Sequence, residues 1–147
     1  MQGKFFDELE VGDQFTSHRR TITETEVVNF VCLIGLLNPL FTDEEFAREK
    51  GFGVRVVPGP LTMGIAIGLT DELCYGTITA VLGIDNVRFT APVEIGDTIW
   101  VKTMIINKRE STSRPDRGLI TLKHEVCNQK GEKVCGFERT LMFLKRV

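Results

Sequence analysis

Few side chains in this sequence are of a type that moves protons. Histidine occurs twice, at His18 and His124. Both fall in segments that read as strands, where a single histidine is ordinarily a surface or partly buried residue. Three consecutive carboxylates, Asp43-Glu44-Glu45, could activate water or attack a carbonyl carbon. They also follow Thr42 in the Thr-x-x-Glu capping spacing, and acids in a first turn suit the helix dipole without any chemistry. The cysteines Cys32, Cys74, Cys127 and Cys135 include no C-x-x-C pair. Cys32 and Cys74 read as core thiols with no base beside them, which fits a reducing, cytoplasmic setting. With two histidines and no paired cysteines, neither a metal nor another cofactor is expected.

The remaining chemistry belongs to the backbone. From Pro58 the chain reads PGPLTMGIAIGLTDELC, and Pro60 suits the first turn of a helix because its missing N–H costs nothing there. Free N–H groups at such a start, with the positive end of the dipole, can hold an oxygen that gathers negative charge. The alternative is a core helix with no further role.

The elements that must position these groups follow from pattern. The helix from Gly59 to Cys74 carries Leu61, Met63, Ile65, Ile67, Leu69 and Leu73 on every side, which predicts burial all round. Gly64, Ala66 and Gly68 would let it lie close against a sheet, while Asp71 and Glu72 predict a solvated far end. Before it, Gln14–Ile22 reads as a strand, and Thr23-x-x-Glu26 opens a helix that Gly35 and Asn38-Pro39 end. Thr42-x-x-Glu45 opens a short polar helix to about Lys50. After Cys74 come four β-prone runs: Thr77 to about Val93, with Gly83 and Asp85-Asn86 as a bulge; Thr98–Arg109; Leu119–Asn128; and Lys133–Lys145. This order predicts an α+β fold, a curved antiparallel sheet wrapped over a long helix, in one domain spanning residues 1–147. An edge strand would remain, so a dimer is expected.

Composition removes some function classes. The net charge of −2 and the lack of a basic stripe argue against nucleic acid. No apolar run is long enough to span a bilayer, and the acidic start, MQGKFFDELEVGD, does not read as a signal peptide.

Several segments, taken in order, carry a resemblance. They are Gly35-Leu36-Leu37-Asn38-Pro39-Leu40-Phe41-Thr42-Asp43, the acidic Glu44-Glu45-Phe46-Ala47, Val57-Pro58-Gly59-Pro60-Leu61, and Val87-Arg88-Phe89-x-x-Pro92-Val93-x-x-Gly96-Asp97-Thr98. Together the chain resembles the MaoC-like branch of the hot-dog fold, the (R)-specific enoyl-CoA hydratases and 3-hydroxyacyl dehydratases. The resemblance implies an acyl thioester on coenzyme A or acyl carrier protein, with its oxygen held near the start of the apolar helix. Gly59 and Leu61 would be the donors, and Asn38-Pro39 would shape the pocket mouth.

One departure limits what carries over. The family motif reads Gly-Asp-x-Asn-Pro-x-His, and its Asp and His form the acid/base pair. Here those positions are Leu36 and Phe41, and a supporting serine position is Gly64. Leucine and phenylalanine cannot transfer a proton. The expectation is therefore a thioester-binding protein without standard hydratase catalysis, as a homodimer or as the binding half of a heterodimer with an Asp/His-bearing hot-dog subunit. The alternatives are a thioesterase using a carboxylate of Asp43–Glu45, or a hydratase with relocated groups such as His18 or His124. Lys108, Arg114 and Arg117 are candidates for coenzyme A phosphates, against the plainer reading of a solvated loop.

Overall fold

The computed structural model describes residues 1–147. Its first long helix, α1 (Glu24–Ile34), starts where the capping box predicts. The Glu26 carboxylate accepts from the Thr23 N–H at 2.9 Å and also bonds the Thr23 hydroxyl. Gly35 ends the helix in the left-handed conformation, φ 72°, a geometry that disfavours a Cβ. Two short helices follow, α2 (Pro39–Thr42) and α3 (Glu44–Glu49). The cap of α3 is Asp43, not Thr42: Asp43 Oδ1 accepts from the N–H groups of Glu45 and Phe46. Thr42 is already spent as the last residue of α2.

The apolar helix α4 covers Gly59–Leu69, and a turn at Thr70 separates it from α5 (Asp71–Cys74). It is not buried all round. Thr62, Ile65, Ala66 and Leu69 face the core, while Pro60, Gly64 and Gly68 are exposed. Of the three small residues, only Ala66 gives close packing; beside Gly64 and Gly68 there is open space. The far end is solvated at Asp71 and Glu72, as expected, although these residues open α5 and Leu69, Thr70 and Cys74 beside them are buried.

The expected first strand is two, β1 (Gln14–Thr16) and β2 (Arg20–Thr21), both antiparallel to β4. His18 lies in the loop between them and is exposed. The long strands are β3 (Ile78–Phe89), β4 (Thr98–Glu110), β5 (Arg117–Cys127) and β6 (Lys133–Leu144). Their order is β1-β4-β5-β6-β3, antiparallel throughout. The β3–β6 register shifts beside Gly83 and between Asp85 and Arg88, where Asn86 has φ 53°. This is the predicted bulge.

Alternation on the long strands builds the concave face. Ile99 and Val101 on β4, Val126 on β5 and Phe137 on β6 pack with Val27 and Val31 of α1 and Ile65, Ala66 and Leu69 of α4. A second core joins Phe6, Leu9 and Cys74 to Ile105, Ile120, Leu122, Leu141 and Phe143. Cys74, Cys127 and Cys135 are buried, but Cys32 is exposed on α1 rather than in the core. No helix is long and apolar enough to cross a membrane.

Candidate functional site

At the start of α4 the fold leaves an apolar cavity of about 480 Å³. Leu40 and Phe41 of α2 form one wall, and Phe89 with residues 90–93 forms another. Gly59, Pro60 and Thr62 of α4 close the inner side. No side chain that lines it titrates. The Thr90 hydroxyl donates to the Lys133 carbonyl at 2.7 Å, and two polar features are left without partners. The Gly59 N–H donates to no acceptor in the chain, and the Thr62 hydroxyl, on a residue 2 % exposed, has no hydrogen-bond partner. A buried hydroxyl left unpaired costs on the order of 1–3 kcal/mol. Thr62 follows Gly59, whose N–H is free, by three residues in the first turn of α4.

The Phe89 ring lies against Gly59, where a Cβ would come within 2.8 Å of it. Glycine is therefore required for the ring to cover the helix start. Leu61 is placed differently. Its N–H donates to the Pro58 carbonyl at 3.0 Å, and its side chain packs on the main core. Asn38 caps α2, accepting from the Leu40 N–H at 3.0 Å, with Pro39 in the first turn. Both are exposed and outside the walls, so they set the position of Leu40 and Phe41. Leu36 packs against the main core, and Gly64 is on the outer face of α4.

The three carboxylates are engaged elsewhere. Asp43 caps α3, Glu44 pairs with Arg55, and Glu45 pairs with Arg48. Arg55 holds the Glu44 carboxyl below the usual range. Arg117 pairs with Asp116, and Lys108 pairs with Glu10.

At the other end of α4 the strands assemble a buried polar chain. The Nδ1 of His124 lies 2.9 Å from the Thr103 hydroxyl, and its Nε2 accepts from Arg139 Nε at 3.1 Å. Arg139 Nη2 donates to the Thr70 hydroxyl at 3.0 Å, which donates to the Ile67 carbonyl. Burial first, and Arg139 second, push the His124 pKa down to about 3. With both ring nitrogens occupied and 0 % exposure, this imidazole is not positioned to take a proton from a substrate. Thr62 and Arg139 escaped the sequence reading. The signals were a lone hydroxyl in an apolar helix, and a charge in the inward series Phe137, Arg139, Leu141, Phe143.

The helix wrapped by one antiparallel sheet is the hot-dog fold: the chain superposes with a TM-score of 0.87 on a Mycobacterium tuberculosis protein with a double hotdog fold. The family described as the MaoC like domain matches residues 8–126, and the chain belongs to it. Protein MaoC of Klebsiella aerogenes is 40% identical over 99 residues, covering 67% of this chain and 30% of that protein. The (R)-specific enoyl-CoA hydratase of Rhodospirillum rubrum is 26% identical over 138 residues, covering 94% and 90% respectively. A solved structure of a monoamine oxidase regulatory protein from Archaeoglobus superposes with a TM-score of 0.88 at 32% identity, covering 100% of this chain and 98% of that one. The chain spans less than half the length of the first curated relatives it matches.

Proposed function

We propose that this chain binds an acyl thioester, on coenzyme A or acyl carrier protein, in the cavity at the start of α4. The thioester oxygen accepts from the Gly59 N–H and the Thr62 hydroxyl, and the acyl portion lies along Leu40, Phe41 and Phe89. Two of its relatives, named as an (R)-specific enoyl-CoA hydratase and a 3-hydroxybutyryl-CoA dehydratase, support a thioester as the ligand class. The observation that carries the reading is the lining itself. It offers oxygen-binding donors and hydrocarbon, but no group that can transfer a proton.

On this reading the chain alone does not hydrate a double bond by the family's usual acid/base pair, since Leu36 and Phe41 stand at those positions. Isothermal titration with butyryl-CoA and hydration of crotonyl-CoA followed by absorbance test it together. Binding without loss of absorbance is the expected pair of results. Hydration by the isolated chain, or no binding of any acyl-CoA either by the chain alone or with an Asp/His-bearing hot-dog subunit added, overturns the reading. A thioesterase role finds less support, because the three candidate carboxylates are held by a helix cap and two arginines away from the cavity.

The chain's partner on this proposal is a second hot-dog subunit, either an identical chain or one bearing Asp and His. The support is the edge strand β3, which exposes Val81, Leu82 and Ile84.

A further inference from the structure

A second cavity, of about 510 Å³, opens at the opposite end of α4, and its lining shares no residue with the first. Thr62 and Leu69 are separated by about 10 Å along the helix. Phe15 of β1, Leu69 and Leu73 give it an apolar side, and Thr70 and Thr103 give it polar ones. Those two threonines are the ends of the chain Thr103–His124–Arg139–Thr70.

The direction of the hydrogen bonds in that chain is fixed by its chemistry. A guanidinium only donates, so His124 Nε2 must accept from Arg139 Nε. A neutral imidazole then carries its hydrogen on Nδ1, which donates to the Thr103 oxygen. The hydrogen of the Thr103 hydroxyl is left over, and no acceptor in the chain takes it. Thr103 is 3 % exposed and forms part of the cavity wall.

Charge supplies the second observation. Arg139 is 3 % exposed, yet it takes part in none of the ion pairs of the molecule. Its hydrogen-bond partners, His124 and Thr70, are both neutral, as is the Cys74 thiol beside it, and the exposed Asp71 carboxylate acts on it without forming an ion pair. The carbonyl end of α4 offsets part of this charge. A buried cation with no anion in direct contact is nevertheless unfavourable. At the cavity rim, Lys4 and Glu72 are exposed and opposite in sign, so they cancel rather than compensate it.

We infer that this cavity is a second ligand site, for a short aliphatic carboxylate. One carboxylate oxygen accepts from the Thr103 hydroxyl, the negative charge faces the Arg139 layer behind Thr70 and Thr103, and the aliphatic part lies on Phe15, Leu69 and Leu73. A neutral acceptor of the same length satisfies the hydroxyl but not the charge.

The probe is hexanoate, titrated into the 147-residue chain and followed by amide chemical shifts in ¹H–¹⁵N spectra, with hexanamide in parallel. The expected result is saturable shifts at Leu69, Thr70, Leu73 and Thr103, with hexanamide about tenfold weaker. Thr103→Val should weaken hexanoate about tenfold while Thr103→Ser restores it. If Thr103→Val loses its dispersed spectrum, Thr16→Trp serves instead, since it fills the cavity from an exposed strand position. It should abolish binding with the buried chain intact. The inference is overturned by equal binding of hexanamide, by shifts confined to Gly59, Thr62 and Phe89, by binding that survives either variant, or by no saturable shift at all.

Discussion

Thr62 concentrates the argument at the scale of one residue. Its hydroxyl is buried without a partner, so the free chain holds a polar atom at a net cost that a ligand oxygen would remove. Thr62→Val should therefore separate binding from stability. Titration calorimetry should show butyryl-CoA weakened about tenfold, the loss of one net hydrogen bond of roughly 1.4 kcal/mol. The thermal midpoint should stay level or rise; a fall in the midpoint with unchanged affinity would mean the hydroxyl is structural. His124 gives the second single-residue prediction. Its folded pKa, about 3, is below its ordinary 6.5. The unfolded chain therefore takes up a proton below pH 6.5 that the folded chain refuses until about pH 3. Stability must fall as pH drops through that window, by at most about 1.4 kcal/mol per pH unit from this group. Urea unfolding between pH 6.5 and 4.5 should show that slope, and His124→Gln should flatten it.

Among the elements, those governed by local chemistry were legible in the sequence. Thr23 and Glu26 announced α1 by spacing, and the box formed as read. Gly83 and Asp85-Asn86 announced the β3 bulge by their weak strand preference and tolerance of positive φ. The misplaced features depend on tertiary context. Thr42 and Asp43 are adjacent capping residues, and only the packing of α2 decides that Asp43 serves α3. An apolar helix does not reveal which of its sides a single chain covers, so the exposed face with Gly64 and Gly68 was unreadable. The polar chain through Arg139 was unreadable for the same reason, because its members come from β4, β5, β6 and the end of α4. Two predictions belong here. Thr23→Ala should remove the cap of α1 and cost about 1 kcal/mol in chemical denaturation. The Thr23 hydroxyl, foremost, holds the Glu26 carboxyl down to about 2. That contribution is present above the ordinary value of 4.5 and is lost as pH falls from there toward 2, so the cost of Thr23→Ala should shrink with acid. Gly59→Ala sets a Cβ against the Phe89 ring. It should displace the ring from the start of α4, read as a shift of the Phe89 ring resonances and weaker butyryl-CoA binding.

The whole molecule is asymmetric in how its sheet ends. At one edge, β1 is three residues long, beside the two residues of β2, too short to template another chain. At the other edge, β3 runs for twelve residues and pairs only with β6. It exposes Val81, Leu82 and Ile84, with Phe89 at its end over the first cavity. A long apolar edge of this kind is an aggregation hazard unless another strand covers it. The proposed second subunit does so by continuing the sheet, and it would bring a foreign surface up to Phe89 and the first cavity. Edge pairing and ligand binding should therefore fail together. Light scattering on a sizing column should give the parent twice the 16.5 kDa mass of one chain, and Val81→Lys with Ile84→Lys should give single chains. In the same preparation butyryl-CoA affinity should fall, although both substitutions lie outside the cavity wall. A parent that elutes as single chains and still binds would place the whole thioester site within one subunit. A parent that elutes as single chains and binds only after an Asp/His-bearing hot-dog chain is added would select the heterodimer. In that case hydration of crotonyl-CoA should appear with the mixture and vanish again when β3 carries the two lysines.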